Sequence, residues 1–458
     1  MNVLRARPPT GDRVRELLSL CSLQPRHTVE QSIAAVQFLG ADEAADILGR
    51  QRCRSLVVSR LTPYRNHAAV ERVLSLLEPR AARIRHMHAV LEDNLARVGA
   101  LAAKHGVTVL AFKGLGARKV YAEPHFRDFG DLDLYVADRT QAALLARALR
   151  EEDGYTVNPG EVPWLKYDAR ARLLYGQINL LAPAATDDLI NVDVHFGDYS
   201  VRHSSRLGLD RSLSFPDSAG LHTMDIEHSL ASGVNNAAGD HFVTVKDTND
   251  LLCALSLERV DWALFRGLLE SAGLTHFFGF VVEKLRACSI LTPRQEEVLT
   301  AARVPTSGLE PAPRLDRPDW GRRCWGTTVH AFSAARPRGL GPAVCTAVDA
   351  YRYYREPLRL TVDTNPGAAE PLERFDMATC VRLVPLDLAR ELPGGRHLDR
   401  PGPHVLRRTA LRTDRGVVRR DTEAGTFIDM DGEPFVATVS YRIPGAMLGG
   451  TRDARRDD

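Results

Sequence analysis

Two short segments of this chain alternate between apolar and polar residues with a strict period of two, and both carry carboxylates in the polar phase. They read Asp131-Leu132-Asp133-Leu134-Tyr135-Val136 and Ile190-Asn191-Val192-Asp193-Val194-His195-Phe196. A period of two belongs to a strand with one face turned to a core. Leu132, Leu134 and Val136 then point one way, and Asp131, Asp133 and Tyr135 the other. Ile190, Val192, Val194 and Phe196 likewise oppose Asn191, Asp193 and His195. If the apolar faces share a core, Asp131, Asp133 and Asp193 converge on one surface. Residues two apart on a strand face have Cα atoms roughly 7 Å apart. Carboxylates at that spacing can share two Mg²⁺ ions about 4 Å apart, the arrangement that clamps attacking and leaving oxygens in phosphoryl chemistry. The same pattern also fits a solvated strand edge, so the surroundings have to decide.

Upstream, Val107 to Phe112 reads as a buried strand, followed by Lys113, Gly114, Leu115 and Gly116 and by a segment, Ala117 to Tyr121, that can open a helix. Glycines at such a turn let backbone amides approach phosphate oxygens, and Lys113 can add a point charge. Arg127 can pair with Asp128 or Asp131, or bind a phosphate itself. No G-x-S-x-G, Walker loop or dinucleotide fingerprint occurs, which weakens the hydrolase, P-loop kinase and Rossmann readings.

Taken in order, Lys113-Gly114, Tyr121, Arg127, Asp131, Asp133, Gly154-Tyr155 and Val192-Asp193-Val194-His195 resemble the uncharacterised nucleotidyltransferases of the DNA polymerase β-like superfamily. The resemblance covers roughly residues 75 to 290. Lys246-Asp247, followed by Asp250-Leu251-Leu252, is similar to a Lys-Asp helical motif of related proteins, and fits a helix-surface pair equally well. Phe196 stands where the family more often has Trp, and Asn235 and Asn236 stand near the place of a histidine-bearing helix.

The resemblance implies an α+β chain. Its polymerase β-like nucleotidyltransferase core, a small mixed sheet with helices, is flanked by helical segments. Activity would be metal-dependent transfer of an NMP, AMP in the leading case, from an NTP to a hydroxyl or similar acceptor, with pyrophosphate released. Asp131, Asp133 and Asp193 would be the catalytic metal ligands for two Mg²⁺ ions, with Mn²⁺ as an alternative. Lys113, Gly114, Gly116, Arg127, Lys246 and Asp247 would bind the nucleotide, ATP in the leading case, and His195 the second substrate. A toxin-like enzyme acting on RNA or protein, or a catalytically retired scaffold, remain the alternatives.

With 458 residues the chain exceeds one ordinary core, and about two to four domains are expected. Residues 10 to 106 read as helices, among them a long one from Glu78 to His105 that Gly106 ends. His86 and His88 cannot face the same way on such a helix. A helix opening at Asp138 or Thr140 should stop at Gly154, and strands should follow to Phe196. The expected division is an N-terminal helical region (1–106), the core (107–200), a helical region completing the nucleotide cleft (201–302) and a proline-rich linker (303–319). A β-rich C-terminal domain (320–448) and a disordered tail (449–458) follow. In the C-terminal part, strands are expected at 405–412, 417–419, 426–430 and 435–441, with a hairpin turn at Asp431-Gly432, and packing for Tyr351, Tyr353 and Tyr354.

Sixty basic and 58 acidic residues leave a net charge of +2, which argues against an extended nucleic-acid surface. Seven widely spaced cysteines without Cys-x-x-Cys indicate neither zinc nor a disulfide framework and point to a reducing compartment. No signal peptide and no membrane-spanning run is read. A soluble cytoplasmic protein is the expectation.

Overall fold

The computed structural model describes residues 10–157, 164–168, 173–184, 186–199, 207–209, 214–216, 221–302, 310–348, 350–351, 382–385, 417–422, 425–430 and 433–438. The expected strand at 405–412, the expected tail at 449–458, residues 303–309 of the expected linker, Tyr353 and Tyr354 lie outside them. The fold is mixed α/β, with a mixed sheet and many helices. Contacts divide the chain into two compact units, one of residues 1–95, 112–130 and 223–319, the other of 96–111, 131–222 and 320–458.

The second unit holds the sheet. Its strands are β1 (Leu110–Ala111), β2 (Leu132–Val136), β3 (Thr156–Val157), β4 (Trp164–Asp168), β5 (Leu173–Leu181), β6 (Val192–Gly197), β7 (Ser214–Pro216) and β8 (His222–Thr223). They are followed by β9 (Arg382–Pro385), β10 (Val417–Thr422), β11 (Gly425–Met430) and β12 (Glu433–Thr438). The strand order is β10-β11-β12-β9-β4-β5-β6-β2-β1-β8-β7, with β3 on β5. β6 runs parallel to β2 and antiparallel to β5.

Alternation in β2 is as the sequence dictates: Leu132, Leu134 and Val136 are fully buried and the residues between them half-buried. β6 differs. Its apolar face is buried, and so are Asp193 and His195 on the other face, where the side chains of Tyr175, Gln177, Asn179 and Asp133 meet them. The helix Arg139–Asp153 packs on β2 and β6. It opens at Asp138, whose carboxylate accepts from the Gln141 amide at 2.9 Å, and closes at Gly154 with φ of 73°. On the same apolar face, Gly176 of β5 leaves room for Phe196, since a Cβ there would stand 2.2 Å from the ring.

Several local expectations are corrected. The strand read over 107–112 narrows to Leu110–Ala111. The helix expected from Ala117 becomes a four-residue turn of helix at Gly114–Ala117 and a 3₁₀ turn at Arg118–Val120. The long helix from 78 to 105 is two, Ala68–Ala89 and Leu91–Lys104. They break at Val90, whose ψ is 1° and whose carbonyl accepts from both the backbone N–H and the side-chain Nδ2 of Asn94. The apolar spacing survives the break, with Ile84, Met87, Leu91, Leu95, Val98 and Leu101 all buried. Trp320–Ala335 is helical, inside the segment expected to be β-rich. β10, β11 and β12 fall where strands were expected, and Met430 pairs with Glu433, the register of a two-residue connection.

The first unit is helical. One core joins Leu17, Leu18, Val36, Ile47, Leu56, Val70 and Leu74 to Val245 and Cys288 of later helices. Lys284, on the helix Thr275–Cys288, is 2% exposed in this unit. Its ammonium donates to Gln51 Oε1 at 2.8 Å and to the carbonyls of Val243 at 2.5 Å and Leu315 at 2.9 Å. Burial pushes its pKa from 10.5 down to about 8, against the opposing pull of Cys288, Asp247, Cys21 and Cys53.

Between those two values the unfolded chain holds a proton that the folded chain has shed, so this group adds stability as pH rises. Burial raises the thiols of Cys21, Cys53 and Cys288 and so acts in the opposite sense above their ordinary pKa. The comparison that isolates the lysine is therefore wild type against Lys284→Met. Its unfolding free-energy difference in urea should shift in favour of wild type by roughly 2 kcal/mol between pH 8 and 10. A flat difference would mean that three acceptors keep the ammonium charged.

Candidate metal centre

The parallel register of β2 and β6 sets Asp133 directly opposite Asp193, and Tyr135 opposite His195. The antiparallel register of β5 and β6 sets Asn179 opposite Asp193 and Gln177 opposite His195. The acidic face of β2 therefore meets a buried polar row on β5 and β6. His195 Nε2 lies 2.9 Å from Asp133 Oδ1, and His195 Nδ1 lies 2.7 Å from the Tyr175 hydroxyl. Gln177 Nε2 donates to Asp193 Oδ2 at 2.8 Å, and Asn179 Nδ2 donates to Asp193 Oδ1 at 2.7 Å. His195 is 1% exposed, with the Tyr175 ring parallel to it at 5.9 Å and the Tyr199 ring edge-on at 6.5 Å, whereas the Asp133 side chain keeps 18% exposure.

Ligand atoms of Asp133, Asp193 and His195 all lie within 4.8 Å of one another. The two carboxylates are oxygen donors of the kind that divalent cations accept, and the imidazole, whose two nitrogens meet Asp133 and Tyr175, stands beside them. Each carboxylate oxygen of Asp193 accepts an N–H, and a carboxylate oxygen carries more than one lone pair. The residues fit a metal ion. Asp131 precedes β2 by one position and is half-buried on the same phase as Asp133, but is not part of this three-residue group among the described residues.

The other predicted site residues belong to the first unit, and the structure gives several of them structural partners. Lys113 has φ of 53° and ψ of −118°, a conformation suited to glycine. Non-glycine residues hold such conformations at a cost of about 1–3 kcal/mol, most often at functional sites. Its Nζ lies 5.0 Å from the centroid of the Phe112 ring. A Cβ on Gly114 would stand 2.3 Å from Arg127 Nη1, and one on Gly116 would stand 2.2 Å from Ser229 Oγ. Both glycines are thus required by close packing.

Arg127 makes a two-point ion pair with Asp250, Nε to Oδ1 at 2.8 Å and Nη2 to Oδ2 at 2.9 Å, and Tyr121 donates to the same Asp250 Oδ1 at 2.6 Å. Burial alone would lower the Arg127 pKa, but the Asp250 carboxylate more than offsets it and holds the guanidinium above its ordinary value. Asp128, the neighbour expected as an Arg127 partner, binds Arg54 at 2.7 Å. Asp247 closes a capping box with Thr244 at the start of the helix Val245–Leu255, and Lys246 Nζ lies 2.9 Å from its carboxylate. Burial would raise the Asp247 pKa, and Lys246 and Thr244 together hold it below the ordinary value. His88 meets the Arg127 carbonyl at 3.0 Å, and burial lowers its pKa to about 4, so it stays neutral there.

A family model described as "uncharacterised nucleotidyltransferase" matches residues 39–288, more than half of the chain. The chain belongs to this family. It is a nucleotidyltransferase, a transferase by family, and the match begins earlier than the motifs alone suggested and ends where they do. No curated protein and no solved structure matches the chain. Among the described residues of this nucleotidyltransferase, no helix is long and apolar enough to cross a membrane, and Cys21, Cys53, Cys253, Cys288, Cys324 and Cys345 are free thiols.

Motif reading of the nucleotidyltransferase missed Tyr175, Gln177 and Asn179. The signal was present: they alternate with Gly176, Ile178 and Leu180, the same period of two that marks β2 and β6. It carried no carboxylate, so nothing tied it to the acidic strands before the pairing was known.

Proposed function

We propose that the chain moves a nucleoside monophosphate from an NTP, ATP in the leading case, to a hydroxyl acceptor, releasing pyrophosphate. The core would be of polymerase β-like type, built on β2 and β6. The observation that carries this reading is the pairing of Asp133 with Asp193 across parallel strands, with His195 beside them. Asp131, Asp133 and Asp193 would hold Mg²⁺, two ions in the full reading, with Mn²⁺ able to replace it. Bound divalent ions supply charge neutralisation on the phosphates and a lower pKa for a bound hydroxyl. Asp193, its carboxylate held by two amides, orients the acceptor end of the centre. His195, whose two ring nitrogens meet Asp133 and Tyr175, would serve the acceptor side through Asp133 rather than by direct contact. Lys113 keeps its assignment to a phosphate, as a compact ammonium on a strained turn.

The test is pyrophosphate release from each NTP, read together with intact-mass searches for nucleotide added to candidate small molecules, RNA or proteins. Turnover should require Mg²⁺ or Mn²⁺ and stop in chelator. Full turnover in excess chelator would overturn the metal-dependent reading.

A further inference from the structure

We infer that β5 is the positioning strand of the metal centre: Gln177 and Asn179 hold the Asp193 carboxylate in one orientation, and Tyr175 holds Asp133 through His195. This rests on the metal-dependent reading above and adds residues that touch neither nucleotide nor metal.

The first support is geometric. Tyr175, Gln177 and Asn179 occupy alternate positions of one strand and so share one face. Two of them grip the same carboxylate, one on each oxygen, at 2.8 and 2.7 Å. One donor would leave the group free to swing; two on opposite oxygens fix its plane.

The second support is an unpaired atom. Asn179 is 4% exposed, and its Oδ1 has no hydrogen-bond partner among the described residues. Leaving a buried acceptor unpaired costs about 1–3 kcal/mol. Turning the amide over would press Oδ1 against the Asp193 oxygen, so the carboxylate dictates the orientation. Leucine would fill the same space without that cost. The amide N–H on Asp193 is what the position retains.

The third support is tautomeric. A carboxylate only accepts, so the proton of the His195–Asp133 bond sits on Nε2. Nδ1 meets the Tyr175 hydroxyl at 2.7 Å, which anchors the opposite edge of the ring. Tyr175 thereby fixes both the ring's orientation and the nitrogen that faces Asp133. Groups that orient metal ligands in this way typically contribute a factor of about 10–100 in metal affinity.

The experiment measures Mn²⁺ affinity of the full chain by electron paramagnetic resonance, without nucleotide, for wild type, Tyr175→Phe, Gln177→Met and Asn179→Leu. Melting temperatures are taken in chelator. Tyr175→Phe removes only an oxygen and keeps the ring against Tyr199, at 5.5 Å between centroids, so it reads the chain to Asp133 even if Asn179→Leu fails to fold. The expected result is Mn²⁺ binding weakened about 10- to 100-fold in the folded variants, with metal-free melting close to wild type. In turnover, the Mn²⁺ concentration for half-maximal rate should rise more than the saturated rate falls. Wild-type affinity in Tyr175→Phe and Gln177→Met would overturn the positioning role and leave the proposed function standing. No Mn²⁺ binding by wild type would overturn the metal reading itself, and this inference with it.

Discussion

Asp133→Asn is expected to lower nucleotidyl transfer by about a thousandfold or more while leaving the fold intact. Asparagine matches the shape of aspartate, and its carbonyl oxygen can still accept from His195 Nε2, which lies 2.9 Å from the present carboxylate. Leu132 and Leu134 on either side are fully buried and keep β2 seated against its helix. What the change removes is one negative charge at the point where β2 and β6 bring two carboxylates together. A divalent cation held by oxygen ligands depends on that charge. A thousandfold loss corresponds to about 4 kcal/mol of barrier. The check is steady-state turnover at saturating Mg²⁺, alongside circular dichroism and melting to confirm the fold. A well-folded variant with near-normal turnover would place the chemistry elsewhere in the chain.

Arg127→Met is expected to act on stability, costing about 3–5 kcal/mol, because it strips a buried carboxylate of its partner. Both side chains of the Arg127–Asp250 pair are 6% exposed, and after the change Asp250 retains only the Tyr121 hydroxyl of its three side-chain donor bonds. The substitution also empties the space against Gly114, where the guanidinium now packs. Since whole domains are stable by only about 5–15 kcal/mol, much of the first unit's margin would go. Urea unfolding reads the effect. Arg127→Lys should recover only part of it, because one ammonium cannot reproduce two parallel N–H bonds to a carboxylate. Adding Asp250→Leu to Arg127→Met should restore stability toward wild type by removing the stranded charge. A phosphate-binding Arg127 would behave in the opposite way, losing NTP affinity at nearly unchanged stability.

The contrast between those two residues shows where the sequence was legible. Asp133 was read from alternation, and alternation reports a local geometry: which side of a strand a residue occupies follows from the strand alone. Arg127 was read from its place in a motif. Its candidate partners were its sequence neighbours, Asp128 and Asp131, yet the partner that binds it, Asp250, lies 123 residues away. Lys246-Asp247 shows the same limit. A two-residue motif fits a nucleotide contact and a helix cap alike, and the bond from Thr244 to Asp247 shows the cap.

By itself, then, the sequence determined the acidic faces of β2 and β6, the helix stop at Gly154, and, through the order of its motifs, the family. Each is set by residues close together in the chain: a period, a cap, a spacing. Only the tertiary structure decided that β5 lies beside β6, so that Gln177 and Asn179 reach Asp193, and that Lys284 gathers Gln51, Val243 and Leu315 around one ammonium. Such contacts depend on which distant segments become neighbours. Periodicity states that a face will be covered, and chain topology chooses what covers it.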